Sequence, residues 1–118
     1  MKILFYRYRS ICEPDILETF QEYGFEVTQI TEHMYNKEFS PKDAVPFVSK
    51  MLIEKEYNAV FSINFFPFLS EVCNLMKIRY ICWIVDWPVL ELYSPSIKNP
   101  YNRIFIFDYK LQIKTEKN

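Results

Sequence analysis

Short hydrophobic runs alternate along the chain with longer segments whose apolar positions recur at helical spacing. Five runs are predicted as strands, at residues 2–6, 26–30, 59–63, 80–85 and 103–107. Runs that are apolar throughout are typical of strands buried on both faces, and helical segments between them indicate right-handed crossovers. The pattern predicts a Rossmann-like three-layer α/β/α domain with about five parallel strands in the order 3-2-1-4-5, spanning residues 1–118.

Proline marks the start of each predicted helix, at Pro14, Pro41 and Pro67. Gly24 is placed to end the first helix in the left-handed conformation. Pro46 either kinks the second helix after its first turn or marks its true start, and the sequence leaves both open. The predicted apolar faces are Ile16, Leu17, Phe20 and Tyr23; Val45, Val48, Met51 and Leu52; and Leu69, Val72, Cys73 and Met76. The connection over residues 87–100 is predicted to hold a short helix at 89–93, and residues 114–118 a frayed end.

Composition narrows the class of protein. The 14 basic and 15 acidic residues form no long block, so nucleic acid and anionic membranes are not expected partners. The longest apolar run is too short to span a membrane, and three cysteines without C-x-x-C spacing favour a reducing, cytoplasmic location. A single glycine excludes a glycine-rich phosphate loop, and no cofactor is predicted. Aromatic residues at 19% predict rings that face either a partner, a homodimer being one arrangement, or a missing domain.

Ligands of open parallel sheets bind beyond the carboxyl ends of the strands. There the sequence places Arg7, Arg9 and Ser10 after the first strand, Asn64 after the third, and Asp86 with Trp87 after the fourth. In the predicted strand order the first and fourth strands are neighbours, so Asp86 is expected close to Arg7 or Arg9.

Each of these side chains has two interpretations. Asp86 follows an apolar strand, a setting for a general base, or else it caps the next turn or pairs with an arginine. Arg7 and Arg9 either hold an anionic ligand or form a structural ion pair. Asn64 either orients a ligand hydroxyl or stabilises its turn.

Two further side chains, His33 and Cys12, are not predicted to bind a metal ion or to act as a nucleophile. His33 has no histidine or cysteine at ligand spacing, so no metal site is predicted, and we expect a solvent-facing loop residue. Cys12 lies ahead of a helix, but the acids Glu13 and Asp15 beside it disfavour a reactive thiolate.

Two familiar modules of this topology are excluded at the same strand ends. A phospho-acceptor receiver needs acids where Arg7 and Asn64 stand. A dinucleotide domain needs G-x-G-x-x-G in the first turn, where the chain has Arg-Tyr-Arg-Ser-Ile-Cys.

Three strings carry a family resemblance: residues 9–15 (RSICEPD), 61–67 (FSINFFP) and 82–88 (CWIVDWP). Together they resemble the amino-terminal domain of the bacterial glycosyltransferase-like proteins related to the spore maturation protein CgeB, of the GT-B group. The similarity extends over nearly the whole chain, including residues 91–94 and 96–100.

The resemblance implies one half of a two-domain enzyme. In GT-B enzymes the amino-terminal domain mainly holds the sugar acceptor, and the carboxyl-terminal domain holds the nucleotide-sugar donor. It implies a cleft position for Asp86 and for Arg7 to Ser10. Without a second domain the chain is expected to bind no donor and to catalyse no transfer. The alternative is a stand-alone Rossmann-like module for protein interaction or ligand binding, without catalysis.

Overall fold

The computed structural model describes residues 1–10, 12–36, 38–85 and 94–106 of the chain. Strands and helices alternate in this part, and a 3₁₀ turn, Pro95–Lys98, precedes the last strand. The elements are β1 (Lys2–Tyr6), α1 (Glu13–Glu22), β2 (Glu26–Ile30), α2 (Glu32–Tyr35), α3 (Pro41–Glu54), β3 (Ala59–Ile63), α4 (Pro67–Met76), β4 (Arg79–Ile84) and β5 (Asn102–Ile106). The first three strands have the predicted bounds, β4 lies one residue earlier than predicted, and β5 begins one residue earlier. The short helix α2 was not predicted.

The five strands form one sheet in which every neighbouring pair is parallel, in the order β2-β1-β3-β4-β5. The parallel α/β prediction is confirmed, but the predicted order 3-2-1-4-5 is wrong. Burial gives the physical reason. All five side chains of β3 are buried, so β3 fits the centre, whereas β2 carries the exposed Glu26 and Gln29 and fits an edge.

The corrected order changes which strand ends meet. The central strand β3 separates β1 from β4, so the ends of β1 and β4 are not direct neighbours. The assumption behind the predicted contact between Asp86 and Arg7 or Arg9, that β1 and β4 are neighbouring strands, is therefore wrong, and Asp86 itself lies outside the described residues. Asn64 follows the last residue of β3 and therefore lies between the ends of β1 and β4.

The two faces of the sheet are covered unequally by the described residues. Helices α3 and α4 pack on one face, where Tyr80, Cys82 and Ile84 of β4 are fully buried. Helix α1 packs on the other face over β1 and β3, where the Phe20 ring lies 5.1 Å from that of Phe61. On that second face Trp83 of β4 is only half-buried. Helices therefore cover both faces of the sheet over β1 and β3, as expected. On the second face α1 does not reach β5, where Phe105 is exposed.

The helices follow their predicted signals with two exceptions. Gly24 ends α1 at φ 78°, in the left-handed conformation, as predicted. Helix α3 begins at Pro41 and continues through Pro46, which settles the open question of its start. Two side chains placed on apolar faces are exposed, Tyr23 at 74% and Val45 at 37%. Tyr23 follows the last residue of α1, and Val45 lies at the flank of the packed stripe of α3.

Two predicted features fall outside the described residues, the helix at 89–93 and the frayed end at 114–118. None of the helices that the structure describes is both long and apolar enough to cross a membrane.

Candidate functional site

The turn after β1 is organised around the carboxylate of Glu13, the first residue of α1. Its Oε2 accepts the backbone N–H of Tyr8 at 2.8 Å, and its Oε1 accepts the backbone N–H of Arg9 at 3.0 Å. The Arg7 Nε donates to the same Oε1 at 3.3 Å. The Glu13 side chain is completely buried. A fully buried carboxylate is tolerated because charge-assisted donors surround it.

The two arginines of this turn have different surroundings. The Arg7 guanidinium is 14% exposed and also donates to Oε1 of Gln29 at 2.7 Å, so it joins α1 to the edge strand β2. This is the structural ion pair, with Glu13 as the acid. The Arg9 side chain is exposed, and its guanidinium lies 5.3 Å from the centre of the Tyr35 ring, a cation–π contact. The Ser10 carbonyl accepts the Glu13 N–H at 3.1 Å and closes the turn.

Asn64 joins the ends of three strands. Its Nδ2 donates to the Tyr8 hydroxyl at 3.0 Å, and its Oδ1 accepts the Val85 N–H at 3.0 Å. Its own N–H donates to the Trp83 carbonyl at 2.8 Å. The backbone is left-handed, at φ 64°, a conformation that asparagine tolerates better than most residues. The turn-stabilising interpretation is therefore what these contacts support.

Aromatic rings and one histidine form a rim cluster beside these polar groups, defined as Tyr6, Tyr8, His33 and Phe66. The Tyr6 hydroxyl lies 2.8 Å from Nδ1 of His33, and the Tyr8 and Phe66 rings are 5.0 Å apart. The prediction that His33 is a solvent-facing loop residue is wrong, because α2 turns directly after β2 and places the half-buried imidazole against Tyr6. Burial, and then the charge of Glu32, raise the pKa of the Tyr6 hydroxyl well above its ordinary value.

A buried tyrosine supports the same rim from below. The Tyr80 hydroxyl lies 2.6 Å from Oγ of Ser62 and accepts the Phe66 N–H at 3.0 Å. Complete burial raises the pKa of Tyr80 well above its ordinary value. These bonds fix the turn from β3 into α4, and with it the positions of Asn64 and Phe66.

The predicted catalytic residue Asp86 and its neighbour Trp87 lie outside the described residues. The chain that leads to them is described as far as Val85, whose N–H is bound by Asn64. Asp86 therefore stays a prediction, and it follows directly a backbone that is tied to the end of β3.

The residues that form the candidate site are only in part those predicted from the sequence. Arg9, Ser10 and Asn64 lie at the carboxyl edge as predicted, and Arg7 lies beneath them in contact with Glu13. Tyr8, Tyr6 and His33 were missed as site residues. Glu13 was considered only as an acid beside Cys12, and no sequence signal showed that its carboxylate turns back onto the preceding loop.

Two depressions lie away from this edge. One, of about 500 Å³, is at the amino edge of the sheet and includes Lys2, Tyr57 and Asn58. The other, of about 370 Å³, is lined by Phe61, Trp83 and Phe105 on the face that carries α1. The first is at the edge opposite the strand ends where ligands of parallel sheets bind, and we assign it no chemistry.

The three cysteines are free thiols. Burial raises the pKa of Cys73 and of Cys82 to about 12, which makes both unreactive near neutral pH. Among the described residues, no group of three or more histidine, cysteine or acidic side chains is arranged to hold a metal ion.

Comparisons with protein-family models, with curated proteins and with solved structures found no match to this chain. The structure by itself gives a Rossmann-like parallel α/β fold. The resemblance to the CgeB-related proteins, expected from the sequence strings, stays a prediction.

Proposed function

We propose that this chain is the acceptor-side, amino-terminal domain of a GT-B-type glycosyltransferase of the CgeB-related kind. One observation supports this most directly: polar groups and aromatic rings converge at the carboxyl edge of β1 and β3, where Asn64 also binds the backbone leading to Asp86. A few placed polar groups among aromatic side chains are typical of small-molecule sites. A sugar acceptor presents hydroxyls and an apolar ring face, which suit this lining.

The proposed roles follow from position. Asp86 acts as the general base that takes the proton of the attacking acceptor hydroxyl. The side chains of Tyr8, Arg9, Ser10 and Trp87 contact the acceptor. Asn64, whose amide binds the Tyr8 hydroxyl and the Val85 N–H, positions Tyr8 for that contact. Arg7, first considered a binding residue, contributes through Glu13 by fixing the shape of the turn.

Transfer requires a second domain. The proposed donor is a nucleotide sugar, whose diphosphate leaving group must be stabilised and whose reaction must be shielded from water. In GT-B enzymes the second domain supplies both. We therefore propose that the chain alone catalyses neither transfer nor hydrolysis of a nucleotide sugar.

The first test is enzymatic. The purified chain is incubated with a panel of nucleotide sugars, with and without simple sugar acceptors, and release of the nucleoside diphosphate is followed. We expect release at the background rate from the chain alone. Release above background that is lost in Asp86→Asn would show a complete active site and would overturn the proposed division of labour.

The second test measures acceptor binding. Uncharged mono- and oligosaccharides are titrated into ¹⁵N-labelled chain, and we expect amide shifts confined to the turn after β1 and to Asn64, with millimolar affinity. Tyr8→Ala should abolish them. The matched control is Tyr57→Ala, which removes a half-buried tyrosine at the amino edge and should leave binding unchanged. Equal loss in both variants, or no binding to any saccharide, would contradict an acceptor site at the rim.

A protein-interaction module is the second candidate function, and a different surface favours it. Phe105 is 60% exposed on β5 and lines the depression with Phe61 and Trp83. Exposed aromatic patches mark interaction sites. In this hypothesis a second copy of the chain covers the patch, and light scattering detects a dimer that Phe105→Lys dissociates. Leu75→Lys is the control, since Leu75 is 81% exposed on α4. A monomeric wild-type chain would contradict this alternative.

A further inference from the structure

The turn after β1 has the shape of an anion site. The N–H groups of the consecutive residues Tyr8 and Arg9 point to one acceptor group, and Arg9 is left-handed at φ 72°. Consecutive N–H groups around a left-handed residue form a concavity that binds anions. The Arg7 guanidinium adds a positive charge to the same concavity.

The concavity is already filled by a group of this chain. The Glu13 carboxylate accepts from both N–H groups and from Arg7, and its side chain has no exposed surface. In Rossmann-like domains that bind nucleotides, the same turn is glycine-rich and its N–H groups receive the phosphates. Here the carboxylate takes the place that a phosphate oxygen pair would take.

We infer that Glu13 is an internal substitute for phosphate that closes this turn to phosphorylated ligands. Glu13 is then a specificity-determining residue, because its carboxylate excludes nucleotides, sugar phosphates and inorganic phosphate from the first turn. Uncharged ligands can still bind at the rim cluster. The bound carboxylate also explains how Arg9 holds a left-handed backbone without glycine, because the bond from its N–H to Glu13 stabilises that conformation.

The inference depends only on the turn and is independent of any transferase activity. If it is correct, a nucleotide diphosphate that works with this domain must be bound by other groups. Removal of the carboxylate should leave an empty concavity that keeps its two N–H donors and Arg7. Free phosphate should then bind there and accept the hydrogen bonds of the Tyr8 N–H, the Arg9 N–H and Arg7 that the Glu13 carboxylate accepted.

The experiment compares the wild-type chain with Glu13→Ala in phosphate and in chloride at equal ionic strength. Thermal unfolding is measured, together with the amide resonances of Tyr8 and Arg9. For the wild type we expect only the non-saturating rise in unfolding temperature that excluded phosphate gives to folded proteins in general, and no phosphate-dependent shift of the two resonances. For Glu13→Ala we expect a lower unfolding temperature in chloride, which phosphate raises in a saturable manner with shifts at both amides.

The size of the rescue follows from mass action. Phosphate at a hundredfold excess over its dissociation constant multiplies the folded-to-unfolded ratio about a hundredfold, provided that it binds only the folded state. If Glu13→Ala is unfolded in chloride, phosphate should restore the folded population in the same concentration-dependent way.

The matched control is Asp43→Ala at the start of α3. The Asp43 carboxylate also accepts a backbone N–H at a helix start, from Ser40 at 3.2 Å, but in an exposed position. We expect a loss of stability that phosphate offsets by no more than the rise it produces in the wild type. The inference is overturned if phosphate shifts the Tyr8 and Arg9 amides of the wild type. It is also overturned if phosphate rescues Glu13→Ala no better than chloride, or rescues Asp43→Ala equally.

Discussion

At Asn64 we predict that a glycine variant is more stable than an alanine variant, the reverse of the usual order. Its backbone is left-handed, at φ 64°, and its side chain bonds the Tyr8 hydroxyl and the Val85 N–H. Asn64→Ala removes both bonds and places a residue with a Cβ in a conformation that disfavours it. Asn64→Gly removes the same bonds but leaves the backbone unstrained.

The magnitudes separate the two variants. Each lost hydrogen bond costs about 0.5–1.5 kcal/mol of net stability. The left-handed backbone adds roughly 1–2 kcal/mol for alanine. Asn64→Ala should therefore lose about 2–5 kcal/mol. Glycine avoids the strain but loses about 0.4–1 kcal/mol through the greater entropy of its unfolded chain. The glycine variant should end about 1 kcal/mol more stable than the alanine variant, or about 4 °C higher in unfolding temperature.

The assay is urea unfolding followed by circular dichroism, with the slope of each transition checked for equality. Asn58 supplies the control pair. Its Oδ1 accepts the Lys2 N–H at 2.7 Å. Asn58 is not among the described residues that have a positive φ. At Asn58 alanine should be more stable than glycine, the ordinary order in a backbone of negative φ. If alanine is also the more stable variant at position 64, the left-handed backbone does not determine the preference for asparagine.

Three further predictions concern buried groups. Tyr80→Phe removes the acceptor of the Phe66 N–H and one of the two hydrogen bonds of Ser62 Oγ, and should cost about 1–3 kcal/mol in a urea titration. Folding raises the pKa of Tyr6 and of Tyr80, so the unfolded chain releases these protons first, and stability should fall as pH rises above about 10. Unfolding midpoints from pH 9 to 11 should show a shallower fall in Tyr80→Phe than in the wild type, and an equal fall would contradict this cause. Cys73 and Cys82 should resist a thiol reagent at pH 8 until the chain unfolds, by mass spectrometry, whereas the half-buried Cys12 should be modified first.

The sequence predicted the local elements well because their signals are local. The first three strands were predicted with their observed bounds, and α4 begins at the predicted Pro67, whereas the sequence left the start of α3 open between Pro41 and Pro46. Gly24 was correctly placed as the left-handed end of α1. Each of these follows from backbone preferences and from periodicity within a window of a few residues.

The candidate site was predicted only in part. Arg9, Ser10 and Asn64 were found by counting residues past the end of each strand, which needs no tertiary information. The contact between Glu13 and the preceding turn was missed because it depends on how α1 leaves β1. His33 was misplaced because α2 folds it back onto Tyr6, and a four-residue helix has too little periodicity to predict.

The sequence by itself determined that this protein alternates parallel strands with helices and which polar residues follow each strand. Only the tertiary structure decided the order β2-β1-β3-β4-β5, and with it which of those polar residues meet. The physical reason is that strand order depends on total burial. The chain places β3, whose five side chains are all buried, at the centre and the more polar β2 at the edge, and that comparison spans the whole sequence.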